Sequence, residues 1–348
     1  MRIGQNPSKV KGSPAYTPAR VGIASLTYVP ALEGYFREAL DVIQVHLTSL
    51  RRSLNQECDL LVFDNGSCPE VIHFLQEQWQ AGLIDWLCLS QHNLGKNGAL
   101  NWIFSAMPNE YIAYSDSDVF FRKGWLEHSL QVFDSFERAG MVSAQPVFFD
   151  FLRGRGKTAQ QVAAAGQGLE ILSVQPSQEV LDEYCDGINA SPALREQFRA
   201  QSLQVALNRE SGVRAVTSAT DMQFMLRKAV ADRLIPLPIA GALTGKDAIE
   251  IPLGIENLGY WILSTEEPLV WHLGNSITSR DLPEIERLVA EDSTASRRVQ
   301  PGDGPRPNPT GLKQGLKAGL RGLIRRSPGL KRITERAYSG LFGLLYEE

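Results

Sequence analysis

Three polar clusters of this 348-residue chain have types and spacings suited to binding a phosphorylated ligand. Asp116-Ser117-Asp118 places two carboxylates one residue apart at the end of an apolar run, so an extended backbone would project both to one side. Two carboxylates so placed suit a hard cation, Mg²⁺ or Mn²⁺, which completes its shell with substrate phosphates and water. Asp64-Asn65-Gly66-Ser67 ends an earlier apolar run, and its aspartate can accept hydrogen bonds from a nucleobase or ribose. Asn-Gly is equally a turn signature. Asn93-Leu94-Gly95-Lys96-Asn97-Gly98-Ala99-Leu100-Asn101 sets glycines and a lysine at a helix start, where free N–H groups and the helix dipole favour anions. Its spacing is not that of a P-loop. Farther on, Asp221, Asp247, Glu250 and His272 are polar residues beside apolar segments.

The elements that must position these residues alternate. Residues 20–27 read as a buried strand and 35–54 as an amphipathic helix, with Phe36, Leu40, Ile43, Leu47 and Leu50 on one face. Strands at 60–63, 86–89 and 111–114 alternate with helices at 70–80 and 95–107. The β-α-β order predicts an α/β fold, a mostly parallel twisted sheet with helices on both faces, whose ligands gather beyond the carboxyl ends of the strands. All three clusters fall at such ends. A further strand is expected over 141–149. Residues 151–212 then look like a helical insertion, and strand and helix patterning resumes over 213–290.

A hydrophobic content of 43% is enough for one large core. Cys58, Cys68, Cys88 and Cys185 show no C-x-x-C pairing, which argues against structural zinc or a disulfide scaffold and fits a reducing, cytoplasmic setting. The first nineteen residues have no apolar h-region, and no run of about 18 apolar residues occurs. We therefore expect a flexible N-terminus at 1–19, a catalytic domain at 20–290, and a Pro/Gly-rich linker at 291–310. The last segment, 311–348, is basic: eight lysines and arginines between Gly311 and Arg336 face one acid, Glu335, although the whole chain carries −4. Leu312, Leu316, Leu320, Leu323 and Ile324 line one face of it, as in a helix lying on an anionic membrane surface or docking on a protein. No aromatic interleaving accompanies the charge, so nucleic acid is not an expected partner.

Taken in order, the clusters resemble family 2 glycosyltransferases of the GT-A fold, a Rossmann-type architecture. The resemblance is close over 20–150, the nucleotide-sugar-binding half, and looser over 213–275, in the acceptor and catalytic half. It rests on Asp64–Ser67, on Asn93, Gly95, Ala99 and Asn101, on Asp116-Ser117-Asp118, and on Gly124-Trp125-Leu126. Leu258-Gly259-Tyr260 and Val270-Trp271-His272 support it later in the chain. The family's Glu-Asp dipeptide is not intact, since Lys246-Asp247-Ala248 stands in its place.

The resemblance implies an inverting transfer from a nucleotide-sugar, UDP-linked by first choice, to a hydroxyl acceptor such as a glycan or lipid-linked sugar. Asp64, Asn65, Ser67, Asn93, Gly95, Lys96, Asn101, Asp116 and Ser117 would contact the donor. Asp118 would hold the divalent cation directly, with Asp116 nearer the ribose or a metal-bound water. His272 would be a third ligand or a pyrophosphate contact, a hydrogen-bonded core histidine being the plainer alternative. Asp247 would be the general base, with Glu250 as substitute, and Asp221 an acceptor contact or an ordinary turn aspartate. The broken dipeptide also allows a catalytically inactive domain that binds nucleotide-sugar or glycan without turnover. A nucleotidyltransferase would need a Gly-rich loop where Leu26-Thr27-Tyr28-Val29-Pro30 stands, and a haloacid-dehalogenase-like phosphatase would need Thr or Val at Phe120.

Overall fold

The computed structural model describes residues 16–148, 156–166, 168–239 and 247–290. The first half alternates as the hydrophobic periodicity demands: β1 (Val21–Thr27), α1 (Ala39–Ser53), β2 (Asp59–Asp64), α2 (Pro69–Gln80), β3 (Trp86–Leu89), α3 (Gly95–Ala106) and β4 (Tyr111–Asp116). A short β5 (Val119–Phe121), α4 (Trp125–Ser135) and β6 (Ala139–Ser143) follow. Strands β3, β2, β1 and β4 are parallel neighbours. Almost every residue of β1, β2 and β4 is buried, as expected of strands covered on both faces. One core, with Ile43, Leu47, Val71 and Leu75, lies under α1 and α2; the other, with Leu100, Ile103 and Phe104, lies under α3.

The expected insertion holds three helices, α5 (Thr158–Ala165), α6 (Gln178–Gly187) and α7 (Pro192–Arg199), and two strands, β7 (Leu169–Val174) and β8 (Leu203–Asn208). Those strands pair antiparallel and extend the main sheet. Its composition had suggested helix alone; the strands form because Ile171, Leu172, Val205 and Ala206 find partners across the ladder. The insertion is tied to the core by Glu256, a buried carboxylate that accepts from Lys157 N at 2.8 Å, Thr158 N at 2.7 Å and Thr158 Oγ1 at 2.7 Å. It neutralises otherwise unpaired donors at the start of α5.

The remainder comprises β9 (Arg214–Val216), β10 (Gln223–Arg227), α8 (Lys228–Leu234), α9 (Asp247–Asn257), β11 (Trp261–Ser264), β12 (Val270–His272) and α10 (Leu282–Ala290). The main sheet runs β3-β2-β1-β4-β10-β6-β11-β9-β8-β7. Because β10 is antiparallel to both β4 and β6, while β11 is parallel to β6, the strand directions agree across most of the sheet. The long strand expected over 141–149 stops at Ser143. The four cysteines are all unpaired. Among the described residues no helix is long and apolar enough to cross a membrane. The basic segment 311–348 lies outside the described residues.

Candidate functional site

Two departures from simple alternation build the site. The first is a turn: after β4 the backbone folds over at Ser117-Asp118 before β5. The extended geometry that would aim both carboxylates to one side does not occur, because β5 must leave the main sheet to pair with β12. That ribbon sets Val119 opposite His272, and Leu273 N donates to Asp118 O at 2.7 Å. Its outer part is clamped by Trp271 stacked on Phe120 at 4.1 Å, with the Arg122 guanidinium 4.5 Å from the Trp271 ring centre. The second departure is the antiparallel insertion of β10 beside β4. It lets Asp116 N donate to Met222 O at 2.8 Å and carries Asp221 to the end of β4.

The two aspartates consequently have different neighbours. Asp118 Oδ2 lies 3.0 Å from His272 Nε2, while Asp118 Oδ1 is buried without a hydrogen-bond partner. His272 Nδ1 donates to the Gly187 carbonyl at the end of α6, at 3.2 Å. A carbonyl only accepts and an ionised carboxylate only accepts, so the imidazole between them needs a proton on each nitrogen, or a cation in place of one. Burial opposes that charge, but the Asp118 carboxylate prevails and holds the His272 pKa up to about 9. Asp118 is correspondingly lowered, its burial outweighed by the His272 hydrogen bond.

Asp116 has partners on both oxygens. Oδ1 accepts from the Tyr114 hydroxyl, and Oδ2 is 3.2 Å from Lys96 Nζ. Lys96 also reaches Asp221 Oδ2 at 3.1 Å and Asp221 O at 3.0 Å. Burial of the ammonium disfavours its charge, yet Asp116 and Asp221 overcome this and raise its pKa. Burial chiefly raises Asp116, with Lys96 pulling the other way. Lys96, expected to contact the donor, is paired here with Asp116 and Asp221. Ser117 is half-buried in the turn itself.

At the neighbouring strand end, Asp64 is fully buried; its Oδ1 accepts from Gly66 N at 3.2 Å and Ser67 N at 3.0 Å, and its Oδ2 has no partner. Gly66 sits at φ +92°, and a Cβ there would come within 3.2 Å of Asn93 N, so the tight approach of the two loops requires glycine. Asn65 fastens that approach: its Nδ2 donates to Asn93 Oδ1 at 3.0 Å and its Oδ1 accepts from Leu94 N at 2.8 Å. Asn93 Oδ1 also accepts from Gly95 N at 2.8 Å, and Ser67 Oγ accepts from Val29 N at 3.0 Å.

Asn101 faces elsewhere. Its amide clasps Leu237 from both sides, donating to Leu237 O at 3.0 Å and accepting from Leu237 N at 2.6 Å. One turn earlier, Asn97 Nδ2 donates to Glu250 Oε2 at 2.6 Å and to Pro238 O at 2.9 Å. Adjacent residues of α3 thereby reach the Asp116 turn, through Lys96, and the first turn of α9, through Asn97. Asp247 begins α9, but its side chain lies outside the described residues. Sequence reasoning missed Tyr114, Asn97 and Gly187. Tyr114 had a signal, since residues two apart on a strand share a face; a backbone carbonyl at Gly187 had none.

Residues 35–161 match the family model described as Glycosyl transferase family 2. Over that segment the chain is similar to family 2 glycosyltransferases. The match spans the Asp64, Asn93–Asn101 and Asp116–Asp118 clusters and the Trp125 helix, and ends within α5. No curated protein sequence matches the chain. Among solved structures, the chain is similar to S. aureus TarS 1-349, with 12% identity, 80% of this chain and 67% of that chain covered, and a TM-score of 0.43. It is also similar to the mannosyltransferase PcManGT from Pyrobaculum calidifontis, solved with GDP-Man and Mn²⁺, with 14% identity, 96% and 82% covered, and a TM-score of 0.46.

Proposed function

We propose that this glycosyltransferase moves a sugar from a nucleoside-diphosphate sugar, UDP-linked by preference, to a hydroxyl of a glycan or lipid-linked acceptor, with inversion and with a divalent cation. The observation that carries the proposal is the Asp118–His272 pair: an oxygen and a nitrogen 3.0 Å apart, beside a buried Asp118 Oδ1 with no partner. Cis ligands of a six-coordinate Mg²⁺ or Mn²⁺ ion are separated by about 3 Å, so this donor set fits. Among the described residues no group of three or more His, Cys, Asp and Glu surrounds a common point. Two protein ligands with phosphate and water completing the shell accord with that. When bound, the cation would supply Lewis-acid neutralisation of the leaving diphosphate.

The chain's own residues account for the rest. Asp64 would offer its unpartnered Oδ2 to the base or ribose, and Asp116, held by Tyr114 and Lys96, would contact the ribose. Asp247, or Glu250 in its stead, takes the acceptor hydroxyl proton as the acceptor oxygen bonds to the anomeric carbon. The bond from that carbon to the phosphate oxygen breaks in the same displacement, and the nucleoside diphosphate leaves with the electron pair. Basic residues of 311–348 would hold the enzyme on an anionic membrane at its cytoplasmic face.

The test is a panel of UDP-, GDP- and dTDP-sugars with Mn²⁺ or Mg²⁺, scored for diphosphate release with and without hydroxyl acceptors. Release that requires added cation supports the proposal. Donor binding with no release from any combination would favour the inactive, binding-only alternative.

A further inference from the structure

The two carboxylates of the Asp116-Ser117-Asp118 turn differ in one respect that matters for a cation: one is already neutralised from within the chain. Lys96 Nζ has three N–H groups and three acceptors, Asp116 Oδ2 at 3.2 Å, Asp221 Oδ2 at 3.1 Å and Asp221 O at 3.0 Å. Its ammonium also lies 5.2 Å from the centre of the Tyr114 ring, whose hydroxyl donates to Asp116 Oδ1. Both oxygens of Asp116 are therefore occupied, whereas Asp118 keeps a buried oxygen without a partner.

We propose that Lys96, anchored by Asp221, is a built-in cation that takes Asp116 out of the metal's ligand set and limits the turn to one direct carboxylate ligand, Asp118. Lys96 and Asp221 are positioning residues in this scheme. The inference rests on the cation reading of the preceding section and deepens it. Its physical basis is ligand count: each carboxylate added to an oxygen site strengthens divalent-cation binding, so withholding one keeps the empty enzyme's affinity low. The donor's diphosphate then supplies the missing negative charge. Metal and donor would bind cooperatively, because each is a poor ligand for the site without the other.

The sign of the expected effect is unusual for removal of a buried, hydrogen-bonded lysine. In Lys96→Met the freed Asp116 joins the site, and Mn²⁺ alone, followed by calorimetry and by the electron paramagnetic resonance signal of free Mn²⁺, binds about tenfold tighter than to wild type. Two double variants separate liberation of a ligand from a general change of field, since each loses one positive and one negative charge. Lys96→Met/Asp221→Asn retains Asp116 and keeps the gain; Lys96→Met/Asp116→Asn loses it. Equal affinities in the two doubles, or a Lys96→Met no tighter than wild type, would overturn the proposal. If Lys96→Met melts far below wild type, single variants decide: Asp116→Asn stays within about twofold of wild type in Mn²⁺ affinity while Asp118→Asn loses binding. Equal losses in both would again overturn it. Wild type that fails to bind Mn²⁺ even with UDP present would remove the cation reading itself, an outcome distinct from equal doubles in a protein that binds.

Discussion

His272 Nε2 meets Asp118 Oδ2 at 3.0 Å although 154 residues separate them in the chain, and the two-stranded β5–β12 ribbon is what closes the distance. Replacing either side chain should therefore damage the same step. We expect Asp118→Asn and His272→Ala each to lower kcat/KM for metal-stimulated transfer by about a hundredfold or more, as when a group neutralising developing charge is removed. Steady-state rates over a Mn²⁺ series check this; full metal-stimulated activity in Asp118→Asn would remove it from the role.

The base assignment divides between two positions in one helical turn. Asp247→Asn is expected to abolish turnover while donor KM stays near wild type, since a general base acts on the acceptor. Glu250 has its own constraint, the 2.6 Å hydrogen bond from Asn97. Unchanged turnover in Asp247→Asn, together with a loss of at least about a hundredfold in Glu250→Gln, would transfer the role to Glu250.

Asn101 should affect stability and leave donor affinity alone. Its amide makes two hydrogen bonds to Leu237, and Asn101→Ala leaves both backbone groups without these partners. The cost is about 1–3 kcal/mol of unfolding free energy, read by urea denaturation. A raised donor KM with unchanged stability would instead restore Asn101 to the donor site.

A buried histidine supplies a pH prediction. His46 is fully buried, with Ser25 Oγ 2.9 Å from Nε2 and Val119 O 2.7 Å from Nδ1. Burial depresses its pKa from 6.5 to about 4. The unfolded chain then binds a proton in a range where the folded one does not, so stability is present above pH 6.5 and declines as pH falls toward 4. The contribution is on the order of 3 kcal/mol. Urea midpoints across that range should fall with a slope that His46→Gln reduces; identical slopes would reject the assignment.

Much of the sheet was legible because β1, β2 and β4 are buried on both faces and so appear as unbroken apolar runs. The clusters at their ends were legible for the same reason: an abrupt change from apolar to polar marks where a strand stops. The contacts of Lys96 were not. They depend on β10 entering the sheet antiparallel, which places Asp221 against a residue 125 positions earlier, and no local pattern encodes that neighbour. The turn at Ser117 was hidden too, since the Asp-Ser-Asp spacing is compatible with extension and only the pairing of β5 with β12 decides against it. Asn101 carried the right letter for a donor contact, but Leu237, 136 residues later, claims both ends of its amide.

The Gly187 carbonyl that accepts the His272 Nδ1 hydrogen bond belongs to the inserted segment, and a main-chain oxygen cannot be altered by a point substitution. Chimaeras that exchange residues 156–208 with a homologous segment would thus reach the His272 ring as well. A graft that ended α6 one residue early or late would leave the histidine ring without its orienting acceptor, and an apparently peripheral swap would show itself as a loss of cation dependence.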